Sequence, residues 1–300
     1  MEHPARCRVA TREVAVSHEP FWTEDPAPLL RVEPGFRLAD TPSSGHPGFV
    51  GGKREGHRAL AQGATALADL QERLFACSRL GDERRILLVL QAMDTAGKGG
   101  IVKHVMGSVD PQGVQLVAFK KPTDEELAHD FLWRIRREAP EAGMIGVFDR
   151  SHYEDVLIGR VRELAPAEEI ERRYGAINAF EAELADAGTT IVKVMLHISR
   201  DEQRERLLER LDRPDKHWKF NPGDIDERER WNDYAEAYQV AFDRTSAPHA
   251  PWYVVPADHK WYARLAVQHL LIDALDRMQL EWPAADYDVA EQRERLLATG

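Results

Sequence analysis

Short apolar runs and longer periodic stretches alternate along this chain. Arg85-Ile-Leu-Leu-Val-Leu-Gln-Ala-Met is nearly continuous in apolar residues, as a strand buried on both faces requires. Similar runs recur at 114–119, 144–148, 190–198 and 252–255. Between them the period changes to that of a helix. Over 57–78 one face collects Leu60, Ala64, Leu67, Leu70 and Leu74. Between Pro166 and Gly188 the face is Ile170, Tyr174, Ile177, Phe180 and Leu184, with Gly188 placed to stop the helix. Thr123-x-x-Glu126 and Ser199-x-x-Glu202 are capping-box patterns, each opening a further helix. Strands alternating with helices predict an α/β fold, a mostly parallel sheet of about five strands covered on both sides.

The first fifty residues break this rhythm. They are rich in Pro and Gly, carry no sustained period and read as an irregular N-terminal extension. No internal repeat or long linker divides the remainder, so 51–285 is expected to be one domain and 286–300 a C-terminal tail. At 300 residues the chain is long enough to bury roughly 75% of its unfolded surface without disulfide or metal staples. Cys7 and Cys77 cannot build a secreted disulfide framework, and the twelve histidines are scattered. The amino-terminal residues lack the apolar core of a signal peptide, and no run could span a bilayer. A cytoplasmic protein without a membrane partner is expected.

Charge narrows the partners. Asp and Glu total 51 against 40 Lys and Arg, a net −11, which argues against a protein that coats nucleic acid. A local cationic groove is still compatible with that total. Residues 98–137 hold seven Lys/Arg against five Asp/Glu, and residues 200–220 hold seven against six. These windows are expected to converge on one track.

The first strand runs into Gln91-Ala-Met-Asp-Thr-Ala-Gly-Lys-Gly-Gly100 and then a helical segment. A Gly-Lys turn between strand and helix lets backbone amides approach phosphate while the helix end adds positive potential. Ala96, Gly97, Lys98, Gly99 and Gly100 are the candidate cradle, with Lys98 supplying a full charge. The loop departs from the usual G-x-x-x-x-G-K-[S/T] pattern: Ala92 replaces the first Gly and Gly99 the hydroxyl residue that holds magnesium. Asp94 is the substitute ligand. The strand at 144–148 ends in Asp149-Arg150-Ser-His-Tyr-Glu154-Asp155, at the strand end where open parallel sheets collect ligands. Asp149 is placed to support a metal and Arg150 to hold a phosphate oxygen. A basic helix follows from Ser199, with Arg200, Arg204, Arg206, Arg210 and Arg213, then Lys216 and Lys219 around Trp218. This stretch, about 200–225, reads as a lid over a phosphate site.

These blocks together resemble the family-2 polyphosphate kinases. The resemblance runs from about residue 30 to 285 and rests on several motifs in one order. They include Leu90-Gln-Ala-Met-Asp-Thr-Ala-Gly-Lys, Val102-Lys-His-Val-Met, Pro111-Gln-Gly-Val, Glu126-Leu-Ala-His-Asp-Phe-Leu-Trp-Arg134, Arg150-Ser-His-Tyr-Glu-Asp-Val-Leu, His217-Trp-Lys-Phe and Ala250-Pro-Trp-Tyr-Val-Val-Pro-Ala-Asp258. The resemblance implies a P-loop-kinase-like core with a helical lid, and magnesium-dependent phosphoryl transfer between inorganic polyphosphate and nucleotides. The Walker-A Asp and Lys map onto Asp94 and Lys98, and the Walker-B Asp-Arg onto Asp149 and Arg150. Tyr153-Glu-Asp-Val is similar to the branch that accepts nucleoside monophosphates, so AMP and ADP both stay open as acceptors.

On this resemblance Asp94, Lys98, Asp149, Arg150, Glu154 and Asp155 are the catalytic candidates. Polyphosphate would follow the loop, Arg150, Arg160, Arg210 and Lys219. Glu154, Asp155 and Lys216 would meet the nucleotide, adenine first and guanine second. Asp94, Asp149 and Asp155 would hold Mg2+, with Mn2+ as the alternative ion, and the family implies a homodimer or homotetramer. An ATP-dependent small-metabolite kinase and a non-catalytic polyphosphate or nucleotide sensor are the competing readings. His104, His152 and His217 are expected to be hydrogen-bonding scaffold. Trp133, Trp231, Trp252 and Trp261 are expected to pack, while Trp218 is the one placed to touch substrate.

Overall fold

The structure is a computed structural model that describes residues 21–299. The first twenty residues of the expected extension, Cys7 among them, lie outside the described residues.

Each apolar run forms a strand: β1 (Arg85–Ala92), β2 (Val114–Ala118), β3 (Ile145–Asp149), β4 (Thr189–His197) and β5 (Trp252–Pro256). They form one sheet in the order β2-β3-β1-β4-β5, and every neighbouring pair is parallel. Alternation along β1 divides its side chains between two cores. Ile86, Leu88 and Leu90 join one, Leu87 and Val89 the other, and all five are fully buried. A strand with both faces covered has no polar side to show, which is why its sequence runs apolar without a break.

The first face is covered by α2 (Lys53–Ser78) and α11 (Lys260–Asp276), with α3 (Lys98–His104) beside them. Leu67 and Leu74 are buried on the predicted face of α2, whereas Leu60, Ala64 and Leu70 are half-buried. The contact turns toward Gly56, Ala59 and Cys77 because α2 lies close upon α11. A Cβ on Gly56 would sit 2.2 Å from the Trp261 ring, and one on Gly63 would sit 2.2 Å from Gln268. The second face is covered by α7 (Ala167–Asp186) and α10 (Trp231–Thr245). Ile170, Tyr174, Ile177 and Phe180 are buried there as their spacing predicts, and Gly188 leaves the helix at φ +88°.

The remaining helices are short or peripheral: α1 (Pro26–Leu30), α4 (Asp124–Leu127), α5 (Trp133–Arg137), α6 (Ile158–Val161), α8 (Arg200–Asp212), α9 (Gly223–Glu229) and α12 (Val289–Leu297). The described part of the N-terminal extension packs on the body: Ala27, Leu30, Val32, Leu38 and Phe49 are buried, and Arg31 bridges to Tyr253 of β5. The Thr123 capping box is complete, with Glu126 N donating to Thr123 Oγ1 (3.3 Å) and Thr123 N to Glu126 Oε2 (2.7 Å), yet α4 lasts only one turn. At Ser199 only half the box forms. Its Oγ accepts from Glu202 N (3.1 Å), while Ser199 N donates to Asp258 and Glu202 turns to Arg206. No helix among the described residues is long and apolar enough to cross a membrane.

Candidate active site

The parallel strands deliver β1 and β3 side by side to one edge, and the site is built from the two loops that leave them. After β1 the chain turns through Asp94, Thr95, Ala96 and Gly97 into α3, which opens on Lys98. Gly97 has φ +123° and ψ 15°, a conformation in which a Cβ is disfavoured. Thr95 is left-handed at φ 64° although it is β-branched, and its buried hydroxyl has no partner. What holds this loop comes from the basic helix. Arg206 of α8 is buried and donates to the carbonyls of Thr95 (3.1 Å) and Ala96 (2.8 Å), and on its other side to those of Ala257 (2.7 Å) and Asp258 (2.9 Å). Gln203 donates to the Asp94 carbonyl (3.1 Å). Four carbonyls on one guanidinium tie the loop after β1 to the loop after β5.

After β3, Arg150 is also left-handed, at φ 64°, and its N–H donates back to Leu90 of β1 (3.1 Å). The next residues form a 3-10 turn, His152–Asp155, capped by Ser151, whose Oγ accepts from Tyr153 N (3.1 Å). This geometry places the Arg150 guanidinium between two acids, 3.5 Å from Asp94 and 3.9 Å from Glu154. Gln91, with its amide turned to satisfy both neighbours, donates to Glu154 Oε1 (2.9 Å) and accepts from Ser151 N (3.1 Å). Burial raises the Glu154 carboxyl above its ordinary range, against the pull of Arg150 and Lys98. Burial weighs against the Arg150 charge, but Glu154, Asp94 and Asp149 outweigh it and raise its pKa. A cleft of about 220 Å³ opens here, lined by Asp94, Arg150, Glu154, Asp224, Glu227 and Tyr234 among others. Burial, followed by the nearness of Asp94, raises the Asp224 carboxyl in turn. Such a cleft, with an arginine between two half-buried acids and a lysine at a helix start nearby, can hold phosphate groups and carboxylate-bound cations together.

The structure brings Asp94, Arg150 and Glu154 to the cleft, with Lys98 and Asp149 close enough to act electrostatically on Glu154 and Arg150 respectively. The other candidates have partners of their own, and only that of Arg210 lines the cleft. Asp155 is held by Arg173 of α7 at 3.1 Å, and Arg160 pairs with Glu236 at 3.1 Å. Arg210 pairs with Asp224 (3.3 Å) and donates to the Lys219 carbonyl (2.9 Å). Lys216 lies 3.5 Å from Asp215, and the Lys219 ammonium sits over the exposed Trp218 ring. Among the described residues no three His, Cys, Asp or Glu side chains converge as a ready metal site. His152 and His217 are scaffold, the first against Glu181 and the second against the Leu211 carbonyl, while His104 is exposed on α3. Gln91, Gln203, Arg206, Asp224 and Tyr234 are the residues that sequence reasoning missed. Only Arg206 carried a signal, as one of the basic residues at 200–213, and that signal pointed toward substrate rather than the loop.

Known proteins resemble this chain over most of its length. The family model for polyphosphate kinase 2 (PPK2) matches residues 51–283. An AMP/ADP-polyphosphate phosphotransferase of Meiothermus ruber is 45% identical over 255 residues, covering 84% of this chain and 94% of that protein. An ADP-polyphosphate phosphotransferase of Rhodopseudomonas palustris is 41% identical over 265 residues, covering 83% and 90%. The crystal structure of polyphosphate kinase 2 from Arthrobacter aurescens superposes with a TM-score of 0.91 at 59% identity, covering 93% of this chain and 98% of that one.

Proposed function

Because this chain belongs to the polyphosphate kinase 2 family, we propose that the cleft at the ends of β1 and β3 carries out its phosphoryl transfer, moving the terminal phosphoryl group of inorganic polyphosphate to AMP or ADP. The observation that carries this reading is the Arg150 guanidinium set between Asp94 and Glu154, with the Lys98 loop beside it.

The bond from the terminal phosphorus to its bridging oxygen breaks, and a bond forms to a terminal phosphate oxygen of the nucleotide. Polyphosphate is shortened by one unit, and AMP becomes ADP or ADP becomes ATP. The attacking oxygen is already anionic, so no general base is needed; positioning and charge neutralisation supply the catalysis. Lys98 and Arg150 hold and neutralise the phosphates on either side of the transferred group. Gln91 and Ser151 fix the turn that points Glu154 into the cleft.

Carboxylates facing phosphates need a cation between them. Two hard-oxygen ligands, completed by phosphate oxygens and water, fit Mg2+, and Mn2+ accepts the same donors. Asp94 and Glu154 would hold the ion, with Asp149 supporting, while Asp155 is paired with Arg173 at 3.1 Å. Bound there, the ion would neutralise charge shared by donor and acceptor phosphates.

The test is transfer from polyphosphate, and separately from ATP, to a panel of nucleoside mono- and diphosphates, read by nucleotide separation. Lys98→Ala should lower kcat/KM by about 10²–10³-fold while leaving the melting temperature near that of the parent, since Lys98 takes part in no ion pair among the described residues. Near-native turnover in that variant would overturn the assignment.

A further inference from the structure

The capping box that opens α8 is half built, and another residue fills the missing half. Ser199 Oγ accepts from Glu202 N (3.1 Å), but Ser199 N donates to Asp258 Oδ1 (2.7 Å) in the loop after β5. In a complete box the Glu202 side chain would be that acceptor. With Asp258 in its place, the Glu202 carboxylate is released to bind Arg206 Nε (2.7 Å), four residues along the helix. The guanidinium it orients is the one that reaches the carbonyls of Thr95 and Ala96 in the phosphate loop. That guanidinium also donates to the Asp258 carbonyl (2.9 Å). Asp258 therefore holds α8 at two points, by its carboxylate at Ser199 and by its carbonyl at Arg206, about two turns further on.

The N-terminal segment fixes Asp258 from the other side. Ser43 Oγ donates to the second carboxylate oxygen (2.8 Å), and Asp258 N donates to the Ser43 carbonyl (3.1 Å). The Thr41 carbonyl accepts from His197 Nε2 at the end of β4 (3.0 Å), and the His197 carbonyl accepts from Ala257 N (2.8 Å). Gln239 of α10 accepts from Leu38 N (2.8 Å) and donates to the Phe36 carbonyl (2.9 Å). The stretch from Phe36 to Ser43 is thus tied to sheet and helix, although the family model begins only at residue 51. Asp258 makes no ion pair among the described residues, and it is not one of the described residues that line the cleft. Two neutral donors hold its carboxylate, so its task here is one of shape rather than charge.

We propose that Asp258, clamped by Ser43, is a positioning residue for phosphoryl transfer: by taking the Ser199 N–H it keeps Glu202 on Arg206, and Arg206 on the phosphate loop. This inference rests on the reading above that the loop holds the phosphates that react. Without the Asp258 carboxylate the Ser199 N–H has no acceptor, Glu202 turns back to close the capping box, and Arg206 loses the group that orients it. The N-terminal segment then acts on the reaction through one side chain, without touching substrate.

The experiment compares the parent with Asp258→Ala, Asp258→Asn and Ser43→Ala, by steady-state kinetics with polyphosphate and by amide hydrogen exchange. Asparagine has the shape of the native side chain, its carbonyl able to accept from Ser199 N and its amide to donate to Ser43 Oγ. In Asp258→Ala, kcat should fall at least about tenfold with a smaller change in KM, because the loop loses its fixed shape. Asp258→Asn should restore kcat to within about threefold of the parent. Exchange should quicken over residues 95–98 and the first turn of α8 in Asp258→Ala and stay at the parent's level in Asp258→Asn. Ser43→Ala keeps its backbone bond and should lower kcat by about threefold. Combined with Asp258→Ala it should add nothing, since both act along one path. Equal losses in Asp258→Asn and Asp258→Ala would show that the carboxylate acts through its charge, and would overturn the proposal. Parent-like kcat in Asp258→Ala, with only the melting temperature lowered, would overturn it too. If circular dichroism shows Asp258→Ala unfolded, Ser43→Ala decides: unchanged kcat and exchange sink the clamp. If the parent transfers nothing from polyphosphate, the proposed function fails and exchange alone judges the clamp. Protection lost in Asp258→Ala and kept in Asp258→Asn would still support it, and unaltered protection in Asp258→Ala would not.

Discussion

Thr95 and Arg150 stand in the left-handed region at the mouths of two adjacent loops, where a Cβ is unwelcome and a β-branched one most of all. Such conformations persist only where surrounding contacts hold them, and Arg206 does so at Thr95 by gripping its carbonyl and that of Ala96. Thr95→Gly should therefore keep the stability within about 1 kcal/mol of the parent, relief of strain offsetting the freedom gained by the unfolded chain. It should lower kcat about tenfold, because the phosphate loop loses its fixed shape. Thermal melting and the transfer assay check the pair; a large loss of stability would show that Thr95 is not strained. Asp94, Gly97, Lys98 and Arg150 were legible in the sequence because their chemistry is local to two short motifs. The backbone of Thr95 was not, since nothing in its neighbours favours positive φ and the constraint arrives from a helix 111 residues away. Arg206 was read as one of several lid cations because Glu202 lies four positions before it, the spacing of an ordinary surface pair.

At the scale of elements, α7 links the folded frame to the acids after β3. Glu169 in its first turn binds Arg172 (2.7 Å) and Arg173 (3.1 Å), and Arg173 in turn holds both the carbonyl and the carboxylate of Asp155. The hydrogen bond from Arg172 is the largest cause that lowers the Glu169 carboxyl from 4.5 to about 2. A carboxyl lowered by folding contributes stability that is complete above its unfolded pKa and disappears as pH falls through the folded one. The window here runs from pH 4.5 down to about 2. In Glu169→Gln the melting temperature should fall less steeply across that window than in the parent, by a small margin because solvent still reaches the half-buried group and screens its pairs. Identical slopes would mean that Glu169 is not held. The five strands were legible because burial on both faces writes itself as unbroken apolar sequence. The lid's charge state was not. Its seven cations were counted, but Asp224 answers Arg210 from α9, a pairing that composition does not reveal.

The molecule as a whole depends on one charge placed at its centre. Lys193 interrupts the apolar run of β4 and is fully buried. Its ammonium meets Glu181 of α7 (2.6 Å), the hydroxyl of Tyr153 (2.9 Å) and the carbonyl of Thr245 at the end of α10 (2.8 Å). Glu181 also accepts from Tyr153 (2.9 Å) and meets His152 (3.2 Å). Sheet, two covering helices and the turn that presents Glu154 thus share one buried network. The sequence shows a lysine in a strand and a glutamate on the helix before it, but their meeting depends on how α7 packs across the sheet. Burial opposes the charge on each, and their mutual attraction is what keeps Glu181 below its ordinary range. Removing one partner leaves the other buried and uncompensated, a larger loss than the pair's own net contribution. Lys193→Met should therefore cost about 3 kcal/mol in urea unfolding. Adding Glu181→Gln should restore at least about 1 kcal/mol of that loss, since the stranded charge is then gone. Losses that simply add in the double variant would mean that the two groups stabilise the fold independently. If Lys193→Met also lowers kcat with polyphosphate while the double variant regains stability but not rate, the network positions the Glu154 turn as well as holding the fold.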